Sequence, residues 1–198
     1  QHKFLIASGV IASHLSDIYA TLGKTNKSLT FTALMSTSDF DNTSTATALG
    51  TLDATINAPI ISTETIEEMA LTGYGVTGSE VVRYLSSKKL TIPVSSVNGA
   101  ELASITITNA DQSQSPTISG TSASAVVTMT NLTSGVFNIT CIDTRGIAST
   151  KQLSYTLDPY VYPTLTKVWI EREQPTNDYA TLTGNGTFYN GLIGTTQN

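Results

Sequence analysis

The chain has 198 residues, enough for one large domain or two small ones, since domains near 100 residues still bury enough surface to fold alone. Only 13% of the residues are charged and the formal net charge is -5, which gives a nucleic-acid backbone or an anionic membrane surface little to hold. No run approaches the roughly 18 apolar residues that cross a bilayer, and Cys141, the single cysteine, excludes an internal disulfide and a cysteine-based zinc site.

The chain opens with Gln1 rather than Met, and Phe4, Leu5, Ile6 and Ala7 form an apolar stretch too short for a signal peptide. The expectation is a piece of a longer protein with no visible address. In residues 10–22, Val10, Ile11, Leu15, Ile18, Tyr19 and Leu22 fall at spacings near a helical stripe, with Gly23 as a stop, a pattern that fits a short helix and irregular chain equally well. Ser28 to Leu34 alternates as a strand does, and residues 45–56 read as another. Ser and Thr exceed a quarter of the chain, a bias suited to exposed strand faces. The Asn-x-Ser/Thr sequons at Asn26, Asn42, Asn131, Asn138 and Asn185 follow from that bias and are not read as glycosylation sites.

Pro59 marks a first boundary, because proline breaks a strand pattern and favours extended linkage. Beyond it, residues 63–71 carry early acids and a following Gly73, which suits a helical turn or a strand and loop. Residues 90–94 alternate, and Pro93, which cannot donate to a ladder, predicts an edge strand or a bulge there. Residues 95–99 read as a turn, residues 102–108 as a strand, and Ser113 to Pro116 as a break. Residues 125–130, a loop at 131–135 and residues 136–141 then give two strands joined at hairpin length, with Phe137, Ile139 and Cys141 on one face.

Asp143-Thr144-Arg145-Gly146 follows that strand. An aspartate opening a short loop accepts from backbone N–H groups ahead of it, and a glycine closing the loop adopts positive φ. Asp143, Arg145 and Gly146 are therefore read as turn hardware, with Arg145 reaching back to Asp143 or to a neighbouring carbonyl as an exposed pair stabilising by about 0–1 kcal/mol. The segment from Asp158 through Pro163 is the second boundary. The resulting divisions are 1–58, a mainly β and partial unit; 59–157, a complete module; and 163–198, the opening strands of a further module. The last has too few residues for a core of its own and must pack on something else, unless the chain continues.

The fold class is all-β, built of antiparallel sandwiches, with room for one or two short helices in the N-terminal part. Chemistry is harder to find. Ser13, His14 and Asp17 are too close in sequence to converge as a triad. Glu64, Glu67 and Glu68 are explained by a helical or linker surface without a metal. Asp39, Asp41 and Asn42 lack the ordered ligands of a calcium loop. Gly184-Asn185-Gly186 reads as a hairpin turn rather than a phosphate loop. No catalytic residue, metal ligand or cofactor is expected. Tyr160, Tyr162, Trp169, Tyr179 and Tyr189 concentrate aromatic residues in the last forty positions, as a candidate contact surface for sugars or proteins or, alternatively, as a packing layer around the linker.

The run from Phe137 through Trp169 resembles the repeated Ig-like modules of minor structural proteins in the tails of long-tailed phages of Gram-positive bacteria. Asp143-Thr144-Arg145-Gly146 fills that family's Asp-Ser-Arg-Gly motif with Thr for Ser. Tyr162-Pro163-Thr164 with Glu171-Arg172 resembles the opening of the next unit, and Ala58-Pro59-Ile60-Ile61 looks like an earlier one. Arg83 to Leu90 occupies the usual place of the second strand. The family's aromatic in the strand after Gly99-Ala100 is missing, with Ile105 and Ile107 instead. The resemblance implies tandem Ig-like sandwiches in a tail tip, baseplate or fibre, located in the virion, with other tail proteins, further copies of the chain and host cell-wall polysaccharide as partners. It implies no catalytic residues. The competing expectation is a bacterial surface adhesin or a carbohydrate-binding accessory module of a secreted wall-active protein.

Overall fold

The computed structural model describes residues 27–35, 45–54, 56–110, 112–172 and 179–197, and the architecture they form is all-β with mainly antiparallel sheets. The helical stripe at residues 10–22, the Ser13, His14 and Asp17 triplet and the loop at 39–42 lie outside the described residues.

The first unit is a hairpin of β1 (Lys27–Met35) and β2 (Thr45–Ala54), antiparallel with an irregularity between Phe31 and Thr32. The following residues build a β-sandwich. One sheet centres on β6 (Lys88–Ser95), flanked on one side by β9 (Ser122–Met129) and on the other by β3 (Ile60–Ile61) and β4 (Thr65–Glu68). The other runs β11 (Ala148–Ser154), β10 (Val136–Asp143), β7 (Leu102–Asn109) and β8 (Gln112–Gln114). A short parallel pair, β5 (Glu80–Val82) with β12 (Thr156–Asp158), closes one end.

Alternation decides what lies between the sheets. Leu90, Ile92 and Val94 of β6, Ile105 and Ile107 of β7, Val127 and Met129 of β9, and Phe137, Ile139 and Cys141 of β10 all point inward and are buried. Burying side chains of this size stabilises by about 1.5–3 kcal/mol each before the entropy of ordering is counted. Burial also raises the Cys141 thiol above its ordinary pKa, with the Asp143 charge adding to the effect, so it stays protonated as a small core side chain.

Three local expectations need correction, and one left open is decided. The strand holding Pro93 is central, not an edge: Pro93 faces Ser124 of β9, while its carbonyl accepts from Ser62 N–H at 3.0 Å on the other side. Its missing N–H points into the gap between β3 and β4, where no ladder bond is needed. The loop at 131–135 has hairpin length, yet β9 and β10 belong to opposite sheets and the loop crosses between them, with Leu132 fully buried beneath it. Of the two readings left open for residues 63–71, the strand and loop is the one seen, as β4, because Ile66 and Glu68 alternate inward opposite Leu90 and Lys88. A one-turn 3-10 helix (Thr72–Tyr74) follows. Finally, residues 83–87 turn rather than extend, and Tyr84 sits at φ 65.

The last portion divides in two. β13 (Thr164–Glu171) and β14 (Thr181–Thr187) form an antiparallel hairpin. Gly184, Asn185 and Gly186 lie inside β14, not in a turn. A side chain at Gly186 would collide with the Thr164 carbonyl, so this glycine serves close strand approach. The small hairpin β15 (Leu192–Ile193) and β16 (Thr196–Gln197) instead returns to the sandwich. Thr195 N–H donates to the Tyr74 carbonyl at 3.0 Å, and Ile193 enters a second core with Leu71, Val76, Val82 and Tyr160.

Candidate functional site

The Asp143 carboxylate sits at the end of β10, and only 1% of the residue is exposed. Its Oδ1 accepts from the N–H groups of Arg145 and Ile147, at 2.9 and 3.0 Å. Its Oδ2 accepts from Arg145 Nε at 3.0 Å and Nη2 at 2.6 Å. Gly146 closes the turn at φ 77 and donates its N–H to the Asp143 carbonyl at 2.8 Å. The turn assignment of Asp143, Arg145 and Gly146 accounts for every one of these contacts. The expectation of an exposed pair is corrected: the Arg145 side chain is 6% exposed and that of Asp143 is 0%.

Arg145 also reaches out of its own loop. Nη2 donates to the carbonyl of Asn57 at 3.0 Å, tying the segment that enters the sandwich to the turn between β10 and β11. Lys151 of β11 repeats the device, donating to the Ser62 carbonyl at 3.0 Å and pairing with Glu64 at 2.6 Å. Burial raises the Glu64 carboxyl, but the Lys151 hydrogen bond and charge outweigh it and hold the group below the usual carboxylate range.

A third clamp, at Lys88, went unread in the sequence. Lys88 shares the inward face of β6 with Leu90 and is 0% exposed; its Nζ pairs with Glu68 Oε2 at 2.9 Å and donates to the Thr77 carbonyl at 2.6 Å. Glu68 Oε1 accepts three backbone N–H groups, from Ala70, Leu71 and Ser87. Burial pushes the Glu68 carboxyl up, but these bonds and Lys88 bring it below its ordinary value. The acidic triplet is therefore not one surface: Glu68 is buried, Glu64 is half-buried, and only Glu67 lies exposed, paired loosely with Lys89 at 3.4 Å. The signal was present, since Lys88 keeps the period-2 phase of Leu90, Ile92 and Val94.

The five aromatic candidates separate. Tyr160 is buried in the second core, and Tyr189 packs edge-on against it with ring centroids 5.4 Å apart. The Tyr189 hydroxyl donates to Asp158 Oδ1, and this bond, with burial and the nearby acids, pushes its pKa up to about 12. Tyr162 is exposed; it meets Tyr160 edge-on at 5.7 Å and stacks on Tyr84 at 5.5 Å with 19° between the rings. Trp169 and Tyr179 stand apart from this row. Trp169 is half-buried under Lys167, whose Nζ lies 4.8 Å from the ring centroid, and Tyr179 is 85% exposed.

Among the described residues no group of three or more His, Cys, Asp or Glu side chains is placed to hold a metal ion, and no helix is long and apolar enough to cross a membrane. No protein-family model matches the chain, and no curated protein matches it.

Proposed function

We propose that the chain is a non-enzymatic structural component of a phage tail, in the tip, baseplate or fibre, made of Ig-like modules that pack against other virion proteins and present host-recognition parts. The observation that carries this reading is the Asp143 and Arg145 turn. It is the motif on which the family resemblance rests, and its buried guanidinium binds the carbonyl of Asn57 in the entering linker. A motif that fastens a module to its own linker suits a protein that transmits position along an array. The strand order, with β3 and β4 sharing one edge of β6 and the β11, β10, β7, β8 sheet opposite, supports the Ig-like description. The buried acids Glu68 and Asp143 are engaged with backbone N–H groups and cations, which is structural employment for groups that a catalyst would leave facing a substrate. Immunogold labelling of purified virions with an antibody to residues 56–172 tests the reading: label on the tail is expected, and intact virions without tail label would overturn it.

A second reading, a carbohydrate-binding or adhesin module, is favoured by the exposed Tyr84 and Tyr162 stack, because aromatic ring faces take sugar rings. Cell-wall polysaccharide titrated against the chain and against a Tyr84→Ala, Tyr162→Ala variant separates the readings. Binding lost in the variant supports the second; no binding by either removes it.

A further inference from the structure

The chain leaves the sandwich through residues 158–163 and comes back to it through residues 188–197. The exit lies at the end where β10 begins: the Asp158 carbonyl accepts from Arg83 N–H at 3.0 Å, Tyr84 N–H donates to the Leu132 carbonyl at 2.6 Å, and Tyr162 stacks on Tyr84. Pro159 and Pro163 fix φ at two points of this exit. On the return, Ile193 enters the same small core as Tyr160, and the Tyr189 hydroxyl donates to Asp158. The returning contact is backbone on backbone. Gly194, at φ 59, has its ideal Cβ position 2.5 Å from the Tyr74 carbonyl oxygen and 2.8 Å from the Val76 nitrogen, and Gly75, at φ 74, has its own 2.5 Å from Thr195 Oγ1. Two glycines thus meet where no side chain fits, and the bond from Thr195 N–H to the Tyr74 carbonyl spans the contact.

We propose that residues 188–197 are a strap that locks the β13 and β14 hairpin to the end of the sandwich, so that the two tumble as one body. Relative motion is the default for units joined by one linker, because a single connection leaves the swing about its own dihedrals open. Here the base of the hairpin is held on both sides. Residues before β13 and after β14 enter one core, so a swing would have to pull Tyr160 or Ile193, 7% and 4% exposed, into water. The entry is fastened at the other end of the sandwich, where Arg145, just beyond β10, holds the Asn57 carbonyl. The 8 residues of β10 separate the two fastenings by about 25 Å, at ~3.3 Å per residue. A module pinned at both ends passes a displacement along the chain instead of absorbing it in a joint. The inference deepens the reading of the chain as a structural component and rests on it only for that use.

NMR relaxation of the backbone amides of the full chain tests the strap. Order parameters in β13 and β14 should match those in β6, β7 and β10, at about 0.85. Gly194→Val sets a branched side chain against the Tyr74 carbonyl, and Thr195→Pro removes the N–H donated to it. Each should lower the hairpin's order parameters below about 0.6 while those of the sandwich stay at about 0.85. Gly120→Val is the control: Gly120 also has positive φ, at 74, but open space around it, and the substitution should leave the hairpin unchanged. A wild-type hairpin already below about 0.6, or one unmoved by both Gly194→Val and Thr195→Pro, overturns the proposal. A loose hairpin on a chain that labels the tail leaves the functional reading standing while the strap falls; an ordered one on a chain absent from virions does the reverse.

Discussion

Residues 56–158 and residues 164–187 are made of similar strands and use them in opposite ways. In the first region alternate residues meet a facing sheet, so Ile92, Ile107, Phe137 and Ile139 are all 0% exposed. In the second the same alternation produces an apolar face with nothing of the described chain over it, and Leu165 is 77% exposed. Both regions form strands; what differs is the number of strands available to close a sandwich. The polar residues follow suit. In the sandwich they are buried and paired, Glu68 with Lys88 and Asp143 with Arg145, whereas on the hairpin Lys167 lies over Trp169 in solvent.

The contrast can be broken most sharply at the buried turn. Asp143→Ala leaves the Arg145 guanidinium buried without its partner, and urea unfolding should show a loss of about 3–5 kcal/mol. Gly146→Ala forces a Cβ into the left-handed region at φ 77 and should lower stability by about 1–2 kcal/mol in the same assay. Acid acts on the same region more mildly. Glu64 and Glu68 have folded-state pKa values below the ordinary 4.5, so their stabilisation is present above that pH and is lost as pH falls through the lower folded values. The urea midpoint should therefore drop between pH 5 and pH 3, and Lys151→Ala, which frees Glu64, should make that drop shallower. Ile170→Ser on the hairpin should change the stability of the monomer by less than about 0.5 kcal/mol, despite removing an apolar side chain.

Much of the sandwich was legible because its signals are local. Phe137, Ile139 and Cys141 keep strict alternation, and Asp143 and Gly146 are the residues a tight turn selects. Errors arose where long-range pairing decides. Nothing within residues 125–141 says that β9 and β10 join different sheets, since the loop length suits a hairpin and a crossing alike. Pro93 looked like an edge marker because proline lacks one donor, yet a central strand tolerates it where the neighbouring strand is interrupted. The acids at 64–68 read as surface because their partners, Lys151 and Lys88, lie on other strands. Lys88 was readable and missed: its charge argued for solvent, while its phase argued for the core. The aromatic residues were grouped by closeness in sequence, which says nothing of the turn at Tyr84 that stacks on Tyr162.

Amide hydrogen exchange across the described strands puts the contrast to its most direct test. Amides of β6, β7 and β10 should exchange only through global opening, while those of β13 and β14, a two-stranded hairpin with an exposed apolar face, should exchange faster through local opening. Hairpin amides as slow as those of β10 would contradict the account of one finished sandwich beside a hairpin whose apolar face the described chain leaves open.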